Sequence, residues 1–218
     1  MKKIFDRLVW LALLSILILP AVSKADKGLL LGMGIGAGIP FQTNDIAGTH
    51  VRVGMSSYFD VAYGFNKYFQ LGAYLGADAG PEDYYYDYGD NYYYHGGYYV
   101  SYATWSQPYM GVYGRFTYPA TESLEPYANV GLGMYWFGVD TDRGSIYSDT
   151  TLGFRFGAGL NWFFGPGKRF FIGPELTYHL VPYDTTFYYS GYGRERYHAT
   201  GNVDMFEVMF KFGYQWRK

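Results

Sequence analysis

From residue 29 onward the chain alternates. In 29–39, Leu29, Leu31, Met33, Ile35, Ala37 and Ile39 share one face, and Gly32, Gly34, Gly36 and Gly38 share the other. The same period of two recurs in 49–65, 68–79, 107–118, 126–138, 151–164, 169–181 and 203–216. In 151–164, for example, Leu152, Phe154, Phe156, Leu160, Trp162 and Phe164 oppose Gly153, Arg155, Gly157, Gly159 and Asn161. Alternation of this kind marks a strand with two different faces. The pattern predicts eight strands of 11 to 17 residues, well beyond the usual length of about 5–6. After Asp26 no run of 18 apolar residues occurs, so no helix is expected to span a bilayer. Helical content should be close to nil.

The polar face decides which kind of barrel these strands build. Eight strands enclose a lumen only wide enough for side chains, and eight rows of Leu, Phe and Trp would overfill it. The Gly, Tyr and charged face fits inside, which leaves the bulky apolar face outside. A soluble barrel has the opposite arrangement; polar inside and apolar outside is the transmembrane pattern. Closure is then obligatory, because an open sheet edge in hydrocarbon leaves backbone groups unpaired. The expected fold is an all-β, eight-stranded antiparallel up-and-down transmembrane barrel.

Connection lengths set the orientation. Asn66-Lys67, Pro119–Glu125 and Gly165–Lys168 are short, whereas 40–48, 80–106, 139–150 and 182–202 are long. Short turns are periplasmic and long loops extracellular in bacterial barrels, so both termini are expected in the periplasm. Outward aromatics gather at that short-turn rim: Tyr63, Phe65, Phe69, Phe116, Tyr118, Trp162, Phe164, Phe170, Tyr214 and Trp216. Interfacial Trp and Tyr favour the headgroup level.

The first 25 residues read differently. Lys2, Lys3 and Arg7 precede an apolar run from Leu8 to Leu19, Pro20 breaks it, and Ser23-Lys24-Ala25 supplies small residues for cleavage. Twelve residues are too few to cross a ~30 Å core, so 1–25 is expected to be a cleavable signal peptide and 26–218 one barrel domain. Removal of the leader leaves 13 of the 17 basic and 18 of the 19 acidic side chains, a net charge of −5. With no basic face, nucleic acid is not an expected partner. With no Cys, disulfides are excluded. The 30 glycines and 22% aromatic content belong to a folded, close-walled chain rather than a disordered one.

The last strand, Lys211-Phe212-Gly213-Tyr214-Gln215-Trp216, resembles the C-terminal signal read by the outer-membrane barrel-assembly machinery, with Gly213, Tyr214 and Trp216 at its defining positions. Arg217 and Lys218 depart from it by extending past the final aromatic. From Gly28 to Trp216 the chain resembles the OmpA/OmpX-type eight-stranded outer-membrane barrels of Gram-negative bacteria. The resemblance implies residence in the outer membrane, contact with its lipid and lipopolysaccharide, and assembly by that machinery. It does not imply one function, since one barrel hosts many.

Candidate chemistry is sparse. Of His50, His95, His179 and His198, only His179 falls within a strand and faces inward. Lipid A deacylase barrels carry a His-x-Ser pair, and here Val181 occupies the second position. Glu175 lies four residues from His179, about 13 Å along a strand, beyond the reach that nucleophilic catalysis needs. No metal-ligand cluster or cofactor motif is present, and the G-x-G stretches precede no helix. No catalytic residue, metal or cofactor is expected.

The interior charges carry more information. Counted from the short-turn rim, Asp60, Glu175 and Lys211 lie about five residues deep and Arg115 about three. Asp78, Arg155, His179 and Glu207 lie about nine deep. Buried charges require partners, so the near-neutral tiers predict ion pairs that plug the lumen, with Arg155 and Glu207 as one candidate pair across it. The competing expectation is a charged ring lining a pore. On the outside, the 80–106 loop concentrates Tyr84, Tyr85, Tyr86, Tyr88, Tyr92, Tyr93, Tyr94, Tyr98 and Tyr99 among four acids. Tyrosine supplies amphipathic contact area at low entropic cost, so these residues are candidates for recognising an extracellular ligand; alternatively they extend a hairpin above the membrane. The expected role is a non-enzymatic barrel serving envelope integrity or surface recognition and adhesion. The alternatives are an OmpW-like conduit for small or hydrophobic solutes and, third, a lipid A-modifying enzyme.

Overall fold

The computed structural model describes residues 28–41, 49–51, 53–86, 99–141, 144–189 and 196–216. The expected signal peptide lies outside the described residues. Thirteen strand segments follow in order: β1 (Gly28–Phe41), β2 (Thr49–Val51), β3 (Gly54–Gly64), β4 (Phe69–Tyr86), β5 (Tyr99–Thr117), β6 (Leu124–Tyr135), β7 (Gly138–Thr141), β8 (Gly144–Ser148), β9 (Thr151–Phe164), β10 (Phe170–Leu180), β11 (Pro182–Tyr189), β12 (Arg196–Asn202) and β13 (Asp204–Gln215). Eight of them, β1, β3, β4, β5, β6, β9, β10 and β13, pair antiparallel with their neighbours in chain order. The ring closes where β1 meets β13, from Leu30 opposite Gln215 to Phe41 opposite Asp204. Among the described residues no helix is long and apolar enough to cross a membrane; a 3-10 turn at Pro166–Lys168 is the one helical element they contain.

The alternation resolves into two surfaces. Met33, Ile35, Phe59, Leu75, Val112, Leu132, Phe156, Leu176 and Phe210 point outward and are exposed. Tyr58, Asp60, Tyr74, Tyr113, Arg115, Arg155, Glu175 and Lys211 point inward and are buried. A water-soluble protein does not leave a whole wall of large apolar side chains uncovered. A closed ring has no unpaired edge, which is what hydrocarbon requires of strands. The barrel is therefore a membrane-spanning one.

The short turns are held locally. Asn66 Oδ1 accepts from the backbone N–H of Tyr68 and Phe69 at 2.8 and 2.9 Å. Thr121 Oγ1 accepts from Ser123 and Leu124 at 3.2 and 3.0 Å. In the third turn Gly165 and Gly167 take φ of 75° and 65°, a region that side chains beyond glycine enter at a cost.

The long connections correct the expectation of loops. The 80–106 segment is largely strand: β4 and β5 remain paired from Gly80 opposite Trp105 to Tyr86 opposite Tyr99. Likewise β7 and β8 pair within 138–148, and β11 and β12 within 182–202. Their apolar side chains do not keep to alternate positions, so no period announces these extensions. Tyr84, Tyr85, Tyr86 and Tyr99 thus lie on a hairpin, while Tyr88, Tyr92, Tyr93, Tyr94 and Tyr98 lie outside the described residues. His50 falls on β2 and His198 on β12; His95 lies outside the described residues.

Candidate functional site

The lumen is built by glycine on one side and tyrosine on the other. A Cβ on Gly72 would stand 2.5 Å from the Tyr113 ring, and one on Gly159 2.5 Å from the Tyr127 hydroxyl. The small residues of one strand make room for the large residues of another, and the rings fill what would otherwise be a channel.

Two charge networks occupy this space. In the first, Asp60 Oδ2 accepts from Arg115 Nη2 at 2.8 Å, Lys211 Nζ at 2.9 Å and the Tyr113 hydroxyl at 2.5 Å. Glu175 Oε1 accepts from Arg155 Nη2 at 2.9 Å and Thr177 Oγ1 at 3.1 Å. Its Oε2 accepts from the hydroxyls of Tyr58 and Tyr127 at 2.6 and 2.5 Å. Lys211 Nζ stands 3.8 Å from Glu175 Oε2 and links the two carboxylates. Arg115 lies between the rings of Tyr113 and Tyr127, 4.8 and 4.7 Å from their centroids. Arg155 lies in the same way between Tyr58 and Tyr74, at 4.6 and 4.8 Å. Aromatic faces attract desolvated cations, so each guanidinium is held by charge at its edge and by π density on its faces.

The second network centres on Glu207. Its Oε1 accepts from Tyr109 at 2.8 Å and lies 3.0 Å from Ser56 Oγ. Its Oε2 lies 3.1 Å from His179 Nε2. His179 Nδ1 is 2.9 Å from the Tyr135 hydroxyl, and its ring packs 4.8 Å from that of Tyr109. Ser56 also hydrogen-bonds Asp78. All these groups are buried.

The expected pairing of Arg155 with Glu207 is corrected. Arg155 reaches instead to Glu175 on the adjoining strand and belongs to the first network. A guanidinium on three methylenes spans more than one step of depth, and strand stagger shifts apparent tiers. The first network thus carries three cations against Asp60 and Glu175. The second carries Asp78 and Glu207 against His179. The excess cation of the first network offsets part of the excess acid of the second, and neither is balanced within itself.

The tyrosines are where sequence reasoning fell short. Tyr58, Tyr109, Tyr113 and Tyr127 read as filler, yet each donates its hydroxyl to a carboxylate. Buried Tyr finds a partner for its O–H as a rule, and that rule together with four inward acids was the available signal. Trp105 and Phe137 were missed as well. Both are buried inward, with Val181, Val203 and Met205, on the long-connection side of the second network.

The expected assembly-signal residues lie at the opposite rim. Gly213 sits in the wall, where a Cβ would meet the Leu31 carbonyl oxygen at 2.1 Å. Tyr214 packs edge-on against Phe170 at 5.1 Å and Trp216 at 4.6 Å. Among the described residues, no group of three His, Cys, Asp or Glu is placed to hold a metal ion.

No protein-family model and no curated protein matches the sequence. Solved structures do match. Neisserial surface protein A superposes with a TM-score of 0.61 at 11% identity, covering 87% of this chain and 97% of its own. OprG of Pseudomonas aeruginosa gives 0.60 at 15%, covering 89% and 99%. AlkL, solved in lipid bilayers, gives 0.51 at 14%, covering 90% and 93%. All three are small outer-membrane barrels. At such identities the likeness speaks for architecture, and it extends over nearly the whole of each partner. The chain has the fold of the eight-stranded outer-membrane barrels, as the resemblance to the OmpA/OmpX type implies.

Proposed function

We propose that this protein is a non-enzymatic anchor in the outer membrane of a Gram-negative bacterium, with its strand extensions and Tyr-rich segment presented outside for envelope integrity or for surface recognition and adhesion. The observation that carries this reading is the Asp60 cluster. Arg115 and Lys211 converge on one carboxylate in the middle of the lumen, and all three side chains are buried. Cations buried in a shared hydrogen-bond network do not line an open water path, and an anchor has no need of one. The position of His179 supports the absence of catalysis: its partners are Glu207 and Tyr135, and its side chain is buried. The partners on this reading are outer-membrane lipid and lipopolysaccharide on the apolar belt, the assembly machinery during biogenesis, and an extracellular ligand for the loops.

Planar-bilayer recording of the refolded barrel is the test. A plugged anchor gives no stepwise conductance, and adhesion of cells to host or bacterial surfaces then falls when 87–98 is deleted. Discrete, ion-selective steps would replace the anchor with the conduit. A mass change in lipid A on expression would replace it with the enzyme.

A further inference from the structure

On the outer wall, at the end where β9 turns into β10, two rungs of side chains run across neighbouring strands. The upper rung is Ile172, Phe212, Met33 and Phe59, each opposite the next in register. The lower rung is Phe164, Phe170, Tyr214 and Leu31, again in register. Between them lies the inward-pointing row, and two of its members are the paired glycines Gly213 and Gly32. These must be glycine for the sake of the interior. A Cβ on Gly32 would stand 2.1 Å from Asp60 Oδ1 and 2.7 Å from Lys211 Cε; one on Gly213 would meet the Phe171 ring at 2.4 Å.

Outside, where the inward-pointing row shows only backbone, lies a groove of about 460 Å³, floored by Gly32, Gly213 and Phe171 and walled by the two rungs. The rungs are two residues apart, about 7 Å along a strand. The groove crosses from β9 to β3, four strand spacings of about 4.8 Å. Those dimensions suit one extended hydrocarbon chain. Strands of such barrels tilt by about 45°, so a groove at right angles to them climbs obliquely. Its low end is the turn beside Phe164 and Phe170; its high end is Phe59, five residues from the end of β3.

The low end carries a cation. Arg169 is exposed, and Nη1 lies 3.3 Å from the Tyr214 hydroxyl, its partner among the described residues. The neighbouring Lys168 is engaged by Glu122 at 2.5 Å, so the acid at this rim does not serve Arg169. In hydrocarbon, apolar contact alone favours no occupant, because lipid tails are as apolar as the wall. Shape and the charge at the rim therefore select what stays.

We propose that this groove is a binding site for an anionic glycerophospholipid, one acyl chain lying between the two rungs and the phosphate meeting Arg169 and the Tyr214 hydroxyl. The site rests on the reading of this rim as a membrane interface. It does not rest on which side of the membrane the rim faces, nor on whether the lumen conducts.

Native mass spectrometry of the refolded barrel in micelles tests it, with phosphatidylglycerol and phosphatidylcholine of matched chains as probes. The barrel retains one phosphatidylglycerol in preference to phosphatidylcholine by about fivefold, the weight of one cation near an anionic surface. Arg169→Gln loses that preference, and Lys67→Gln, at a different turn of the same rim, keeps it. Ile172→Trp places an indole in the groove and lowers retention of both lipids. Heat-modifiable migration confirms folding of each variant. Equal retention of the two lipids by the unaltered protein, or a preference that survives Arg169→Gln, would overturn the site. So would a lipid-free dimer, which would assign the groove to a second copy. Conductance or inverted sidedness, by contrast, would overturn the anchor and leave this result standing.

Discussion

Lys211 donates to Asp60 over 151 positions of sequence, with 2.9 Å between Nζ and Oδ2. Their strands, β13 and β3, do not pair; β1 lies between them. The bond passes over Gly32, whose missing side chain is the space it uses. Gly32→Ala should therefore weaken the barrel by about 1–3 kcal/mol, the range for overfilling a packed interior. Urea unfolding in lipid vesicles reads the change, and an unaltered midpoint would mean that the pair does not need this gap.

Removing Asp60 should cost more. Asp60→Ala leaves Arg115 and Lys211 facing each other without their shared acceptor, and breaking a buried pair typically costs about 3–5 kcal/mol. A hydrated lumen gives another outcome, little loss of stability together with new conductance.

Arg155 distinguishes the two networks. In a double-mutant cycle, Arg155→Ala and Glu175→Ala should be strongly non-additive, with a coupling of about 1–3 kcal/mol. The cycle of Arg155→Ala with Glu207→Ala should show less, since the contacts of Glu207 are Ser56, Tyr109 and His179. Equal couplings would merge the two networks into one.

Orientation is checked by labelling the Cys-free chain. Asp140→Cys, at an exposed position of β7, should react with an impermeant maleimide on intact cells. Lys67→Cys, in a short turn, should react only after the outer membrane is opened. The reverse order would place the termini outside.

Trp216→Asp should lower the yield of folded barrel in cells. A charge near the interface costs only about 0–1 kcal/mol in such walls, so most of the loss would come from recognition during assembly. Refolding of the purified variant into detergent should then be nearly normal. A matching defect in both settings would locate the effect in the barrel itself.

The wall was legible in the sequence because lipid enforces a period of two, and β1, β3, β6, β9 and β13 lie within or very near the expected segments. Legibility ended where lipid ended. The expected strand 126–138 stops at Tyr135, while Phe137 and Val139 keep its inward parity beyond the strand end. Likewise Trp105 continues the inward row of Gln107 and Tyr109 on β5, in a stretch that reads as loop because its outward neighbours include Thr104 and Ser106. Inside, the eight charged positions were legible and their partners were not. Period fixes the face of a residue, whereas pairing depends on stagger and side-chain reach, as Arg155 shows.

The seam between the first and last strands has a consequence for the order of biogenesis. Lys211 and Glu207 both belong to β13, so each network receives its final member only when that strand docks. Until then Asp60 and Glu175 lack their common ammonium, His179 lacks its carboxylate, and the unfinished interior must stay wet. Docking of β13 completes both networks in the same event that seals the hydrogen-bonded ring. The carboxy-terminal strand is thus a keystone: filling of the core and completion of the wall share one docking event.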